Sequence, residues 1–159
     1  VTIEEEIGRI LTEKSMTIAT AESCTGGLIS HRITNVPGSS AYFLAGFVTY
    51  SNDAKERDLS VPRDVLVKHG AVSTEVARRM AEGVRKVAAA DLGLAVTGIA
   101  GPTGGTADKP VGTVVICLTG PKKVIVRQCL FRGARLEIKT QTSEEALGLV
   151  VEYFRELGR

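Results

Sequence analysis

Met16-Thr17-Ile18-Ala19-Thr20-Ala21-Glu22-Ser23-Cys24-Thr25-Gly26-Gly27 is the stretch on which the fold turns. Met16 to Ala21 reads as a short strand. It runs directly into the polar turn Glu22-Ser23-Cys24-Thr25, which two glycines close. Leu28, Ile29 and Ile33 then recur at helical spacing until Pro37-Gly38 ends the helix. A buried strand thus feeds a helix through a glycine turn.

The same rhythm continues on both sides. Upstream, Thr2 with Glu5 three residues on is a capping box, and Ile3, Ile7, Ile10 and Leu11 share one helical face. Downstream, Tyr42 to Tyr50 is an apolar, aromatic-rich run expected to be a buried strand. A helix carrying Lys55 and Leu59 follows Ser51-Asn52-Asp53. Pro62 suits the first turn of a short helix that stops at His69-Gly70. Ser73 caps a longer helix with Val76, Met80, Val84 and Val87 as its expected core face. Leu92 to Thr97 is a strand, followed by the loop Gly98-Ile99-Ala100-Gly101-Pro102-Thr103-Gly104-Gly105. Thr113 to Thr119 and Val124 to Phe131 form a hairpin. A closing amphipathic helix carries Leu147, Val150, Val151, Phe154 and Leu157, and its start between Ala134 and Ser143 is not defined by pattern. Strand–helix alternation ending in a hairpin predicts an α/β fold: a mixed sheet with helices on both faces, as one domain over 1–159.

Composition narrows the function. The 159 residues are 43% hydrophobic and 24% charged, which is globular rather than disordered. Twenty basic against 18 acidic residues leave a net charge of +2, and aromatics are 4% with no Trp. Neither a concentrated basic face nor a stacking platform is available for nucleic acid, and no membrane partner is indicated. No apolar run approaches the ~20 residues that span a bilayer, and the acidic amino terminus is unlike a secretory signal. Cys24, Cys117 and Cys129 have no C-x-x-C spacing. A hairpin centred near Pro121-Lys122 pairs Cys117 with Val126 rather than with Cys129. Free thiols in a reducing cytoplasm are expected, and no metal site.

Three polar clusters each follow a predicted buried strand: Ser23 to Gly27, Tyr50-Ser51-Asn52 with Lys55, and Thr97-Gly98 with its loop. Carboxyl ends of parallel strands gather at one edge of an α/β sheet, where ligands bind. Turns favour Ser, Asn and Gly in any case, so each cluster alone reads equally well as a turn. Gly26-Gly27 leave backbone N–H groups unobstructed, as an anion site or oxyanion hole requires. No Lys follows the glycines as in a phosphate loop, and Ser23 lacks the flanking glycines of a nucleophile elbow. His31 lies within a helix and His69 at a helix end, which suits structural roles. If Ser23 is activated, Lys55 is the better base, since Ser–Lys pairs are a known variant of triad logic.

Taken together, Ala21-Glu22-Ser23-Cys24-Thr25-Gly26-Gly27, Tyr50-Ser51-Asn52 with Ala54-Lys55, His69-Gly70-Ala71-Val72-Ser73, Thr97-Gly98-Ile99-Ala100-Gly101-Pro102 and Lys109-Pro110-Val111-Gly112-Thr113-Val114 resemble the nicotinamide-nucleotide amidohydrolases. That family includes the C-terminal domain of the competence-damage-inducible protein CinA. The resemblance implies a three-layer α/β/α sandwich and hydrolysis of nicotinamide mononucleotide to nicotinate mononucleotide and ammonia, within pyridine-nucleotide recycling. It implies no metal and no cofactor, Ser23 as nucleophile and Lys55 as base. Tyr50, Thr97 and Arg135 would line the nucleotide site. With Thr25, Gly26, Gly27 and Gly98 from the strand-end clusters, they make the expected substrate-binding set. The phosphate is expected on Arg135 and the helix-start N–H groups, and self-association as a dimer is expected.

Two positions depart from the family pattern. Gly133-Ala134-Arg135 stands where Gly-Asp-Arg is common, and Leu59-Ser60-Val61 where Leu-Gly-Val is common. Two other readings compete: a pyridine-nucleotide-binding module without chemistry, and an assembly domain. A sensor needs neither Ser23 nor Lys55, and an assembly domain needs no glycine-rich loop.

Overall fold

The computed structural model describes residues 1–158. Its elements are α1 (Ile3–Lys14), β1 (Ile18–Glu22), α2 (Leu28–Thr34), a 3-10 turn at Ser39–Ala41, β2 (Phe43–Val48), α3 (Asn52–Leu59), α4 (Arg63–His69), α5 (Thr74–Ala88), β3 (Leu92–Gly98), β4 (Thr113–Thr119), β5 (Val124–Leu130) and α6 (Arg135–Leu157). The sheet runs β2-β1-β3-β4-β5. β1 is parallel to both its neighbours, and β4 and β5 are antiparallel. The result is a three-layer single domain with a mixed five-stranded sheet.

Each sheet face has its own core. Ile7 and Leu11 of α1, Ile29 and Ile33 of α2, and Leu147, Val150 and Phe154 of α6 cover one face over Ile18, Leu94 and Ile116. Met80 and Val84 of α5, with Leu59 and Leu66, cover the other over Ala19, Ala21, Ala95 and Val115. Small residues on that second face let α5 sit close. A Cβ on Gly93 would collide with the Ala81 carbonyl oxygen, so any side chain there must displace α5.

Local signals act as expected at most boundaries. Thr2 Oγ1 accepts from Glu5 N at 3.2 Å while Glu5 Oε2 accepts from Thr2 N at 2.9 Å, closing the box on α1. Ser73 Oγ caps α5 through Val76 N. Cys117 pairs with Val126 and Cys129 with Val114, and all three cysteines are free. No described helix is long and apolar enough to cross a membrane.

The structure corrects three expectations. β2 is an edge strand, with alternate residues including Leu44 and Val48 exposed, rather than a buried one. An apolar run has the same composition in either place; what differs is whether a neighbour covers its second edge. Val87 is exposed near the end of α5, outside the arc facing the sheet. Pro62 occupies the N-cap of α4 rather than its first turn. The start of α6, which the sequence pattern left open, is Arg135; the helix is 23 residues long, with Glu137 Oε1 accepting from Ala134 N at 3.0 Å in place of a capping side chain.

Candidate active site

The three polar clusters meet beyond the carboxyl ends of β1, β2 and β3, which run side by side in one direction. Ser23 is the first residue after β1. Register pairs Glu22 with Val48, so Thr49 and Tyr50 leave β2 beside it. Ser51 then caps α3 through Ala54 N, and the first turn of α3 returns Lys55 under the Ser23 turn. Lys55 Nζ lies 3.1 Å from Ser23 Oγ and donates to the carbonyls of Thr49 at 2.8 Å and Tyr50 at 3.1 Å.

Lys55 is 1% exposed and Ser23 8%. Burial penalises the ammonium and lowers the Lys55 pKa from 10.5 to about 8. At pH 7 that leaves roughly one lysine in ten neutral, instead of fewer than one in a thousand. A neutral amine has two N–H bonds and one lone pair. With both N–H bonds on the carbonyls of Thr49 and Tyr50, the lone pair is left for the Ser23 hydroxyl proton. Cys24, the alternative nucleophile, is buried, and desolvation raises its thiol to about 11. It remains a protonated, unreactive thiol at neutral pH, packed near Gly98.

A residue that sequence reasoning passed over organises the turn. The Glu22 carboxylate is fully buried at the end of β1. Its Oε1 accepts from Thr25 Oγ1 at 2.6 Å and Ile29 N at 2.9 Å, and its Oε2 from Ser30 N at 2.9 Å and Ser30 Oγ at 2.6 Å. Four charge-assisted bonds lock the turn before any ligand arrives. Thr25 is therefore directed beneath the turn onto Glu22. The N–H groups of Ile29 and Ser30, in the first turn of α2, are likewise spent on Glu22. The N–H groups of Cys24, Thr25 and Gly27 have no acceptor among the described residues. Gly26 and Gly27 both hold positive φ, +60° and +105°, which glycine adopts without strain.

The other expected binding residues divide. Arg135 and Tyr50 come together, Arg135 Nη2 donating to Tyr50 Oη at 2.9 Å and Nη1 to the Gly101 carbonyl at 2.7 Å. Arg135 thus ties the glycine loop to the 59%-exposed Tyr50 ring. The Thr97 hydroxyl donates to the Ala71 carbonyl at 2.9 Å, so it braces the loop before α5. Lys139, also unassigned from the sequence, stands on the face of α6 next to Gly26. Among the described residues, no group of three His, Cys, Asp or Glu side chains could hold a metal ion.

Fold and site together define a doubly flanked α/β domain with a buried serine–lysine pair at the sheet edge. The chain belongs to the CinA C-terminal domain family, whose model matches residues 1–154. A CinA-like protein of Geobacter sulfurreducens is 56% identical over 146 residues, covering 92% of this chain and 35% of that protein. A putative competence-damage inducible protein of Moorella thermoacetica is 52% identical, covering 94% of this chain and 36% of that one. The chain thus spans about a third of the length of these relatives. Among solved structures, the competence/damage inducible protein CihA of Agrobacterium tumefaciens superposes with a TM-score of 0.90 at 42% identity, covering 94% of each chain. ComA of Klebsiella pneumoniae superposes at 0.93 and 31% identity, covering 96% of this chain and 95% of that one.

Proposed function

We propose that the domain hydrolyses the carboxamide of nicotinamide mononucleotide to nicotinate mononucleotide and ammonia. The observation that carries this reading is the placement of Lys55 Nζ 3.1 Å from Ser23 Oγ with two carbonyls on its N–H bonds. A nucleotide-binding or assembly domain has no use for a desolvated lysine facing a serine. The substrate comes from the family resemblance carried by the five motifs.

Neutral Lys55 takes the Ser23 proton as Oγ attacks the amide carbon. The free N–H groups of the Cys24–Gly27 turn are available to the oxyanion that forms. Lys55 then passes its proton to the departing nitrogen, ammonia leaves, and an ester remains on Ser23. Lys55, neutral again, activates the water that cleaves the ester and releases the carboxylate product. Every proton is held at one atom, Lys55 Nζ, in both half-reactions.

The test is ammonia release from nicotinamide mononucleotide, run beside the nucleoside and the dinucleotide. Release that is fastest from the mononucleotide is expected. Release above background from none of the three overturns the reading.

A further inference from the structure

Arg135 and Lys139 stand four residues apart on α6 and so share one helical face. Arg135 is already committed to the Gly101 carbonyl and Tyr50 Oη. Lys139 is half-buried and has neither a carboxylate nor a hydrogen-bond partner among the described residues. Its Nζ lies 3.8 Å from the place a Cβ on Gly26 would occupy. Its charge acts on Cys24, whose thiol it favours in the ionised form. By contrast the partly buried Arg32 and Arg127 are each neutralised by two carboxylates, and Lys123 by Glu156 of α6.

A partly desolvated cation left unpaired costs stability unless an anion joins it. Glu22, whose charge also acts on Cys24, is turned into the β1–α2 turn and has four donors of its own. Gly26 N donates to the Ser23 carbonyl at 3.0 Å, closing a four-residue turn. Ser23 and Gly26 Cα atoms in such a turn are within ~7 Å. The free ammonium therefore stands beside the same turn that carries the nucleophile. With no side chain at Gly26, the space between the turn and the Lys139 ammonium stays open.

From this placement we infer that Lys139 receives the anionic substituent of the substrate, a phosphomonoester, and so selects the mononucleotide over the nucleoside, which lacks that group. Arg135 instead ties the glycine loop to Tyr50. The inference rests on the proposed site, and its anion chemistry can be tested apart from the amide chemistry.

Lys139→Met and Lys139→Arg are compared with wild type in two assays. In ammonia release, Lys139→Met is expected to raise KM for the mononucleotide at least tenfold and change kcat less than threefold. Its KM for the nucleoside stays unchanged, and Lys139→Arg recovers most of the loss. In thermal denaturation, inorganic phosphate is expected to raise the Tm of wild type, Lys139→Arg and Ser23→Ala, but not of Lys139→Met. A wild type that releases no ammonia yet shows this phosphate pattern sinks the amidase reading and keeps Lys139 as the anion site. Equal phosphate stabilisation of Lys139→Met and wild type, or equal KM increases for nucleotide and nucleoside, overturns the inference.

Discussion

Lys55 and Ser23, 32 positions apart in sequence, meet at 3.1 Å with the lysine held by the carbonyls of Thr49 and Tyr50. Neither group is effective alone. Ser23→Ala removes the nucleophile and Lys55→Met the proton acceptor, so each is expected to lower kcat by several orders of magnitude. The double variant should cost little more than either single one, because the pair acts as a unit. Dialysis against a chelator should leave wild-type turnover intact, since the nucleophile is a side chain. Additive losses measured by ammonia release would separate the two residues.

Reactivity requires Lys55 to lose its proton, and burial places that event at about 8. The sign follows: kcat/KM rises with pH, roughly tenfold from pH 7 to a plateau above the pKa. Stability carries the same signature. Between about 8 and the usual lysine value the unfolded chain binds a proton that the folded protein has released. Wild type therefore gains stability relative to Lys55→Met as pH rises through that window, by about 2 kcal/mol from pH 7 to 9.5. Below that window the penalty of the buried ammonium is complete and flat. Denaturant titrations of both proteins at the two pH values check it.

Arg135→Ala frees both the Gly101 carbonyl and Tyr50 Oη. The glycine loop and the Tyr50 ring lose their common anchor, so KM should rise for nucleotide and nucleoside alike. A rise confined to the nucleotide would instead return the phosphate to Arg135.

Cys24 is packed near Gly98 with its thiol raised to about 11. Cys24→Ala is expected to keep most of the activity, and iodoacetamide at pH 7 should label Cys24 slowly. A folded but inactive Cys24→Ala beside an active Ser23→Ala would make this a thiol amidase.

Ser60 ends α3 in the left-handed region at φ +59°, where the family pattern commonly has Gly. A side chain there crowds its own carbonyl. Ser60→Gly is expected to stabilise the fold by roughly 0.5–1 kcal/mol, a Tm rise of about 2 °C or slightly more, without changing kcat.

Hydrophobic period made most of the fold legible, because each helix buries one stripe and each central strand both faces. It did not distinguish edge strand β2 from a buried one, since Leu44 and Val48 are as apolar as any core residue. It left the start of α6 open because Ala134 has no capping oxygen and Arg135-Leu136-Glu137 shows no periodic face. At the site, Ser23 and Lys55 stood out because each follows a strand end. Glu22 and Lys139 did not. One reads as the polar end of a strand and the other as an ordinary helix-surface lysine. Only tertiary contact, Glu22 with the start of α2 and Lys139 with Gly26, gives them a role.

The pairing of Glu22 with Val48 turns the sheet into a measuring device. The crossover through α2 can lengthen or shorten at its loops while the two strand ends stay level. The eight positions from Val48 to Lys55 have no such freedom: one inserted residue before Lys55 rotates its side chain about 100° around α3. Length variation among descendants of this chain should accordingly gather between Thr34 and Phe43 and avoid the short span from Val48 to Lys55. A sheet that pairs out of register would retain its helices and its circular dichroism while losing the amine from beneath the serine. Turnover is thus a sharper gauge of correct strand alignment than any measure of secondary structure.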